Sequence, residues 1–593
     1  MIGLKLNLTF YHERPEQLTE EEQKIIAEKI GRSESDEELI AQDPELEVVL
    51  ALSQIRKNLL SWYPFPSTGT ILEIEPNLGE LTGLLCEKAQ KVVSIEHSLA
   101  KAQAIKKREK NRENLEIIVG EIAEISLTEK FDVIVMVGVL EKLSTFYQGT
   151  VEEFLNHITS FLKPEGKILL AMDNRLGIKY FSQTDKTGIE ITNPVDTEFF
   201  TEKEILEYTQ KSGFAYTKTY YPMPDYKMPN VIFTEEKKMT INELERNIVY
   251  YGPDAIKFYP QNKAYQQIMQ YDPSLFKVFA NSYLFEISKK PLETSEIQFI
   301  SYANMRKPEY RIKTIMEKQF VYKYPANEKS VKHIEHIKQN IHLLKQQGIK
   351  TVDSFDETRI ISQYTEAPTL DKIIVSLIEQ NKKEEAIALI EQFKQELQEK
   401  LQVVTDHQNN VLDQYQISYQ PEEIQSLTFL NYGLWDAIFQ NCFYQDHGFY
   451  FYDQEWREEK VPLEFILYRG ILYLGQPESL ITKEELYEAF GIHNNEIHLF
   501  EQLDNQLQEK IRNPVMWKLH TQGTDVLQIK RNELTANHHI NLLTQENKQK
   551  EEQINEQNQE LDKLRNSLKT MTQSYSWQIT RPLRKLKQLG RKK

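Results

Sequence analysis

The chain is predicted to be an α/β protein, with a doubly wound parallel sheet at its front, an α+β domain behind it and a coiled coil at its end. Three observations predict this. Between about residues 67 and 236, strand-like apolar runs alternate with helical periods, the pattern of a parallel sheet with crossover helices. From about 296 to 515 a second mixed region opens with short strands and continues into helices. From about 525 the composition turns to Gln, Asn, Glu and Lys with sparse apolar residues at a 3–4 spacing, which suits a helix seam rather than a globular core.

Residues 1–50 are acidic and mostly helical in pattern, and read as a lead-in. Strands are expected at 70–75, 91–96, 115–119, 131–137, 167–172, 215–221 and 230–234. Helical periods lie between them at 79–90, 98–112, 151–162 and 202–212. This bounds the first domain at 51–236. Residues 237–295 read as an irregular, Tyr-rich extension, 296–515 as the second domain, 525–572 as the coiled coil and 573–593 as a basic amphipathic tail.

At 593 residues the chain is too long for one hydrophobic core, so several domains are expected. Its net charge of −17 argues against a general nucleic-acid binder, which needs clustered positive charge. Cys86 and Cys442 are the only cysteines. They exclude a disulfide framework and a Cys-rich zinc site, and point to a reducing, cytosolic compartment. His333 and His336 have a metal-like spacing but read as one polar helix face. No window approaches the roughly 20 apolar residues that span a bilayer, and Met1 to Thr9 is too short and too weakly basic for a secretory signal. A cytosolic protein is expected.

The first strand, Thr70 to Ile74, contains Glu73 and runs into Glu75-Pro76-Asn77-Leu78-Gly79 and then a helix. A doubly wound sheet places its ligand loop there. Glu96 ends the next strand about 20 residues on, suited to grip two ribose hydroxyls. Glu121 ends the third strand, where a side chain reads an adenine edge, and Gly138 follows the fourth. With the turn Leu162 to Gly166 and the segments Ser53 to Phe65, Asp173 to Phe181 and Tyr221 to Lys227, these residues resemble bacterial class I S-adenosylmethionine (SAM)-dependent methyltransferases of surface-polysaccharide clusters. The resemblance covers about residues 50–236. It implies a Rossmann-like domain that binds SAM through Glu73, Glu75, Asn77, Gly79, Glu96, Glu121 and Gly138. One departure stands out. The family loop reads E-x-G-x-G-x-G, and here Glu75 and Asn77 replace the first two glycines while Gly79 remains. Glu75 adds bulk and negative charge near the place of SAM's carboxylate, so the alternative is a fold kept as a scaffold.

In the second region Asp436 and Asn441 lie five apart, and Asp453 follows twelve residues later. This order resembles the kinase phosphotransferase layout. The resemblance implies Asp436 as acceptor of a substrate hydroxyl's proton, Asn441 and Asp453 as magnesium ligands, and ATP as donor. Upstream, Lys323 sits on a strand where it would neutralise phosphates, Glu335 on the following helix is placed to pair with it, and 361–366 reads as the lobe linker. Leu434-Trp435 stands in place of the family's His-Arg, Gln-Glu-Trp follows Asp453, and 300–320 holds no glycine-rich phosphate loop. A degenerate kinase fold that binds a partner is the alternative. The overall order is similar to the methyltransferase–kinase fusions that cap bacterial O-antigen chains.

From Ile540 the 3–4 spacing runs through Leu543, Asn547, Lys550, Ile554, Gln557, Leu561, Leu564, Leu568 and Met571, a heptad seam whose polar members set register. A solvated single helix is its rival. Residues 581–593 carry no acid, and Trp577, Ile579, Leu583, Leu586 and Leu589 lie beside their positive charge. Such a segment suits an anionic membrane surface, with a nucleic-acid tail as the competing reading. The sequence thus predicts a homo-oligomeric transferase, peripheral at the inner face of the membrane, acting on a glycan or lipid-linked glycan intermediate. The rival is a non-catalytic scaffold with two degenerate folds.

Overall fold

The structure is a computed structural model that describes residues 4–13, 15–16, 18–181, 183–184, 199–237, 256–257 and 261–580. Met1–Gly523 forms one compact unit and Thr524–Lys593 another.

Six parallel strands build the front of the first unit. They are β1 (Lys5–Phe10), β2 (Thr70–Ile74), β3 (Lys91–Glu96), β4 (Leu115–Gly120), β5 (Phe131–Val137) and β6 (Leu162–Asp173). Their order is β1-β4-β3-β2-β5-β6. The inner strands are mainly apolar and buried with no period of two, because layers cover both faces. Helices Thr82–Lys88, Leu99–Arg108 and Val151–Thr159 are the crossovers, shorter at their ends than the periodicity suggested. Thr150 and Glu153 start the last of these with a reciprocal capping box, and Phe154, Leu155 and Ile158 form its buried stripe. β3 and β5 flank β2 and lead the chain in opposite directions, so a crevice opens at the carboxyl ends of these strands.

The mostly helical lead-in also holds β1, which pairs with β4 at the sheet's edge. One expectation about the front is corrected: the extension 237–295 is not all irregular. Its Ser282–Ser288 is a central strand, antiparallel both to β6 and to Tyr216–Met223. All seven of its residues are buried, which removes the alternation that would have marked it.

The sheet then continues through Val231–Thr234, Ile297–Tyr302, Ile312–Glu317, Phe320–Pro325, Ile360–Gln363 and Asp353–Phe355, to fourteen strands in all. The boundary expected near 296 therefore falls inside a continuous sheet. Helix Val331–Gln346 packs on its far end, and beyond it lie helices Leu370–Glu379, Lys383–Lys400, Leu463–Leu472 and Asn494–Ile511. Phe393, Phe439, Phe451, Leu467 and Leu503 belong to the core of that layer. The lead-in helices Glu20–Glu28, Asp36–Gln42 and Leu46–Leu52 bury Ile25, Leu39, Val49 and Leu52 with Leu78, Met228 and Met516.

A helix spans Pro514–Gln573, and Tyr575–Ile579 follows. Within the second unit Leu543, Ile554, Leu561, Leu564, Leu568 and Met571 are exposed. The basic stretch 581–593, with Leu583, lies outside the described residues. No helix among the described residues is long and apolar enough to cross a membrane.

Candidate active site

A cavity of about 410 Å³ opens at the carboxyl ends of the parallel strands. Glu75, Asn77, Glu96, His97 and Gly138 line one side, and Glu141, Asp173, Tyr226 and Lys227 the other. The loop after β2 is held in left-handed backbone at Glu75 (φ 50°), Asn77 (φ 56°) and Gly79 (φ 78°). Only glycine adopts this freely, Asn tolerates it, and a Glu costs about 1 kcal/mol. The loop thus keeps the backbone shape of a glycine loop without two of its glycines. Gly138, at φ 69°, is a second such position, and a Cβ there would meet the Tyr226 hydroxyl at 2.7 Å.

Glu96 is almost wholly buried and accepts the Ser98 N–H at 2.9 Å. Burial first, then the neighbouring Glu75, push its carboxyl well above the usual range. His97 Nδ1 lies 2.5 Å from Glu75 and 3.4 Å from Glu96, and the imidazole stacks on Phe146. Asn77 Nδ2 donates to Glu80 at 3.0 Å, while its buried Oδ1 meets no donor.

Glu73 accepts hydrogen bonds from Thr82 (2.8 Å) and Ser94 (2.7 Å), and burial raises its carboxyl to about 7. Those bonds tie β2 to β3 and to the first crossover helix. Glu121 is half-buried after β4 and is not among the side chains lining the cavity.

The opposite wall was not foreseen as a site, although Asp173, Tyr226 and Lys227 stand in segments that carried the family resemblance. Asp173 receives Lys179 at 2.7 Å, Tyr180 at 3.1 Å and Lys227 at 3.3 Å. Despite its burial, Lys179 and Lys227 hold its carboxyl below the ordinary value. Glu141 Oε1 accepts the Asp173 N–H at 2.8 Å. Burial and the charge of Asp173 raise Glu141 to about 7, and its buried Oε2 meets no hydrogen-bond donor.

With this fold and cavity in place, the front of the chain is a methyltransferase-type domain. Residues 49–219 match the family model described as a methyltransferase domain. No curated protein matches the chain. Among solved structures, a SAM-dependent methyltransferase from Thermotoga maritima is 16% identical, covering 43% of this chain and 97% of its own, at a TM-score of 0.26. Phosphoethanolamine N-methyltransferase 1 of Haemonchus contortus, solved with phosphoethanolamine and S-adenosylhomocysteine, is 13% identical over 44% of this chain and 49% of its own, at 0.27. A TehB-like SAM-dependent methyltransferase from Corynebacterium glutamicum is 13% identical over 43% and 98%, at 0.25.

A second polar cluster lies in the region behind. Lys323, on Phe320–Pro325, forms an ion pair with Asp453 and lies 3.3 Å from Glu455. Glu455 also takes Arg306 at 2.5 Å and His333 at 3.1 Å. Despite complete burial, Arg306, Lys323 and His333 hold it well below the usual carboxylate range. Asn441 Nδ2 donates to the Asp436 carbonyl at 3.1 Å. Burial raises the Asp436 carboxyl to about 7, and Arg469 stands 3.6 Å away.

The expected Glu335 partner of Lys323 is corrected. Glu335 is exposed and pairs with Lys338 at 2.6 Å. His333, Ile337, Asn340 and Ile341 occupy the buried face of that helix, and Glu335, about 200° around the axis from His333, points away from it.

Proposed function

We propose that this chain is a SAM-dependent methyltransferase acting on a glycan or lipid-linked glycan intermediate in bacterial surface-polysaccharide synthesis. The observation that carries the reading is the cavity at the switch point of the parallel sheet, with the buried carboxyl of Glu96 at its rim. The lining fits the cofactor. Glu96 suits the ribose diol, the left-handed loop brings backbone close, and the orphaned Asn77 Oδ1 suits an ammonium donor. SAM would supply an electrophilic methyl group on a sulfonium. The protein's part is to hold that group, exclude water and orient an acceptor against the wall of Glu141, Tyr226 and Lys227.

The second region is proposed as a kinase-like domain using ATP and magnesium. The ion pair of Lys323 with Asp453, and Asn441 beside Asp436, support it. The exposed apolar row from Leu543 to Met571 supports pairing with a second copy as a coiled coil. The basic end would then give the oligomer several weak contacts with an anionic inner leaflet.

A second reading, a scaffold without turnover, is favoured by one feature. Glu75 fills a glycine position and is engaged by His97 at 2.5 Å. Titration of the purified full chain with SAM in a calorimeter decides between the two. Micromolar binding supports the enzyme, and no heat at millimolar SAM leaves the scaffold.

A further inference from the structure

We propose that Glu141 is the general base of the transfer, and that the acceptor is an un-ionised hydroxyl such as a sugar carries. This rests on the SAM reading of the same cavity and names the residue that does the proton chemistry in it.

Glu141 follows β5, at the rim where Gly138 turns the chain, and it lines the cavity that Glu96 and Asn77 bound from the other side. Its Oε1 is fixed by the Asp173 N–H at 2.8 Å, and its Oε2, buried, has no donor. A buried carboxyl oxygen without a donor is costly, and a ligand hydroxyl is the donor it lacks. The buried acid, lysines and phenol beside it on this wall are each locked in one state near neutrality. Lys179 and Lys227 hold Asp173 ionised, and Asp173 in turn keeps both lysines protonated. Burial and Glu141 keep the Tyr226 phenol protonated. Glu141 alone on this wall sits near 7, where a general base works best.

In the step, Glu141 takes the proton of the acceptor's O–H as that oxygen's electron pair forms the new bond to the methyl carbon. The carbon–sulfur bond breaks, its pair stays on sulfur, and the products are a methyl ether, a neutral thioether and a protonated Glu141. The proton then leaves to solvent. An acceptor already lacking its proton would need no such group.

The test needs no acceptor. SAM carries a sulfonium and S-adenosylhomocysteine a neutral thioether, and the two share the ribose and amino-acid contacts. A positive charge beside Glu141 lowers its pKa and expels its proton. Calorimetric titrations of the full chain with both ligands at pH 7, in buffers of different ionisation heat, count the protons. SAM is expected to release about half a proton more than S-adenosylhomocysteine, and the excess is expected to vanish in Glu141→Gln. Glu75, Glu96 and His97, across the cavity, feel the sulfonium too, and the Gln variant separates their share. Equal release by the two ligands, or an excess that survives in Glu141→Gln, overturns the assignment of Glu141 while leaving the cofactor reading intact. Binding of neither ligand overturns both. The comparison of ligands on the unaltered chain stands even if the variant fails to fold.

Discussion

Replacing Glu96 is expected to weaken SAM binding while a milder change at the same position makes the fold more stable at alkaline pH. The carboxyl is 1% exposed and ends β3 beside the cavity, where two ribose hydroxyls would donate to it. Losing two hydrogen bonds costs about 1–3 kcal/mol in all, which is about a 5–150-fold rise in the dissociation constant. Glu96→Ala should show this by calorimetry, and Glu96→Gln, which keeps one acceptor oxygen, should fall between. The stability effect has the opposite sign. Burial and Glu75 raise the folded pKa of Glu96, so its contribution is full below the unfolded value and is lost as pH rises through the folded one. Glu96→Gln retains a carbonyl for the Ser98 N–H and carries no charge, so it should melt higher than the parent at pH 8 and lose that advantage at pH 4. A purely structural Glu96 would lower stability when replaced and leave affinity alone. A change in SAM affinity below about threefold in Glu96→Ala would falsify the ribose assignment.

In the second region, Glu455→Ala strands Arg306, His333 and part of the Lys323 charge. It should destabilise by about 3–5 kcal/mol, measured by denaturant titration. Because those cations hold the Glu455 pKa down, its stabilisation is present above the unfolded value and lost as pH falls through the folded one. Glu455→Gln should therefore flatten the acid limb of the melting profile. Asp453→Asn should remove magnesium-dependent nucleotide binding, and Asp436→Asn should keep binding but lose transfer to a hydroxyl. Nucleotide affinity indifferent to magnesium would refute both. The full chain should sediment with vesicles containing anionic lipid at low salt and be released by truncation before Ser574. Replacing Trp577 and Leu583 by Ser should weaken that attachment, whereas binding that depends on charge alone, as to nucleic acid, would not notice.

The front of the fold was legible because its strands and crossovers carry strong periods. β2, β3 and β5 are short, mainly apolar and β-branched runs of five to seven residues, and the helix Val151–Thr159 shows a single buried stripe. Elements without such a signature were missed for physical reasons. Lys5–Phe10 is a half-exposed edge strand of six residues. Ser282–Ser288 is buried on both faces, so its polar Ser282, Glu286 and Ser288 broke the apolar run instead of marking a face. Glu286 is inside because Tyr63 (2.7 Å), Lys167 (2.9 Å) and Tyr220 (3.1 Å) all bond it, a set of partners scattered across the chain.

The site divides along the same line. Glu75, Asn77, Glu96 and Gly138 line the cavity, and the sequence points to them because each stands at a fixed distance from a strand end, which periodicity locates best. Glu73, the last acid before the loop, binds Thr82 and Ser94 inside the fold. The opposite wall has no single motif. Glu141 comes from the turn after β5, Asp173 from the end of β6, and Tyr226 and Lys227 from the loop after Tyr216–Met223. They meet only because β5 and β6 are neighbours and Ser282–Ser288 brings the later strand alongside. Their chemistry arises from that meeting. Glu141 lies near neutrality because it is buried and Asp173 stands next to it, and Asp173 stays ionised because Lys179 and Lys227 reach it from elsewhere. A pKa set by neighbours distant in sequence is a property of the fold, and so the acid that we assign to proton transfer is the one a reading of single motifs overlooks.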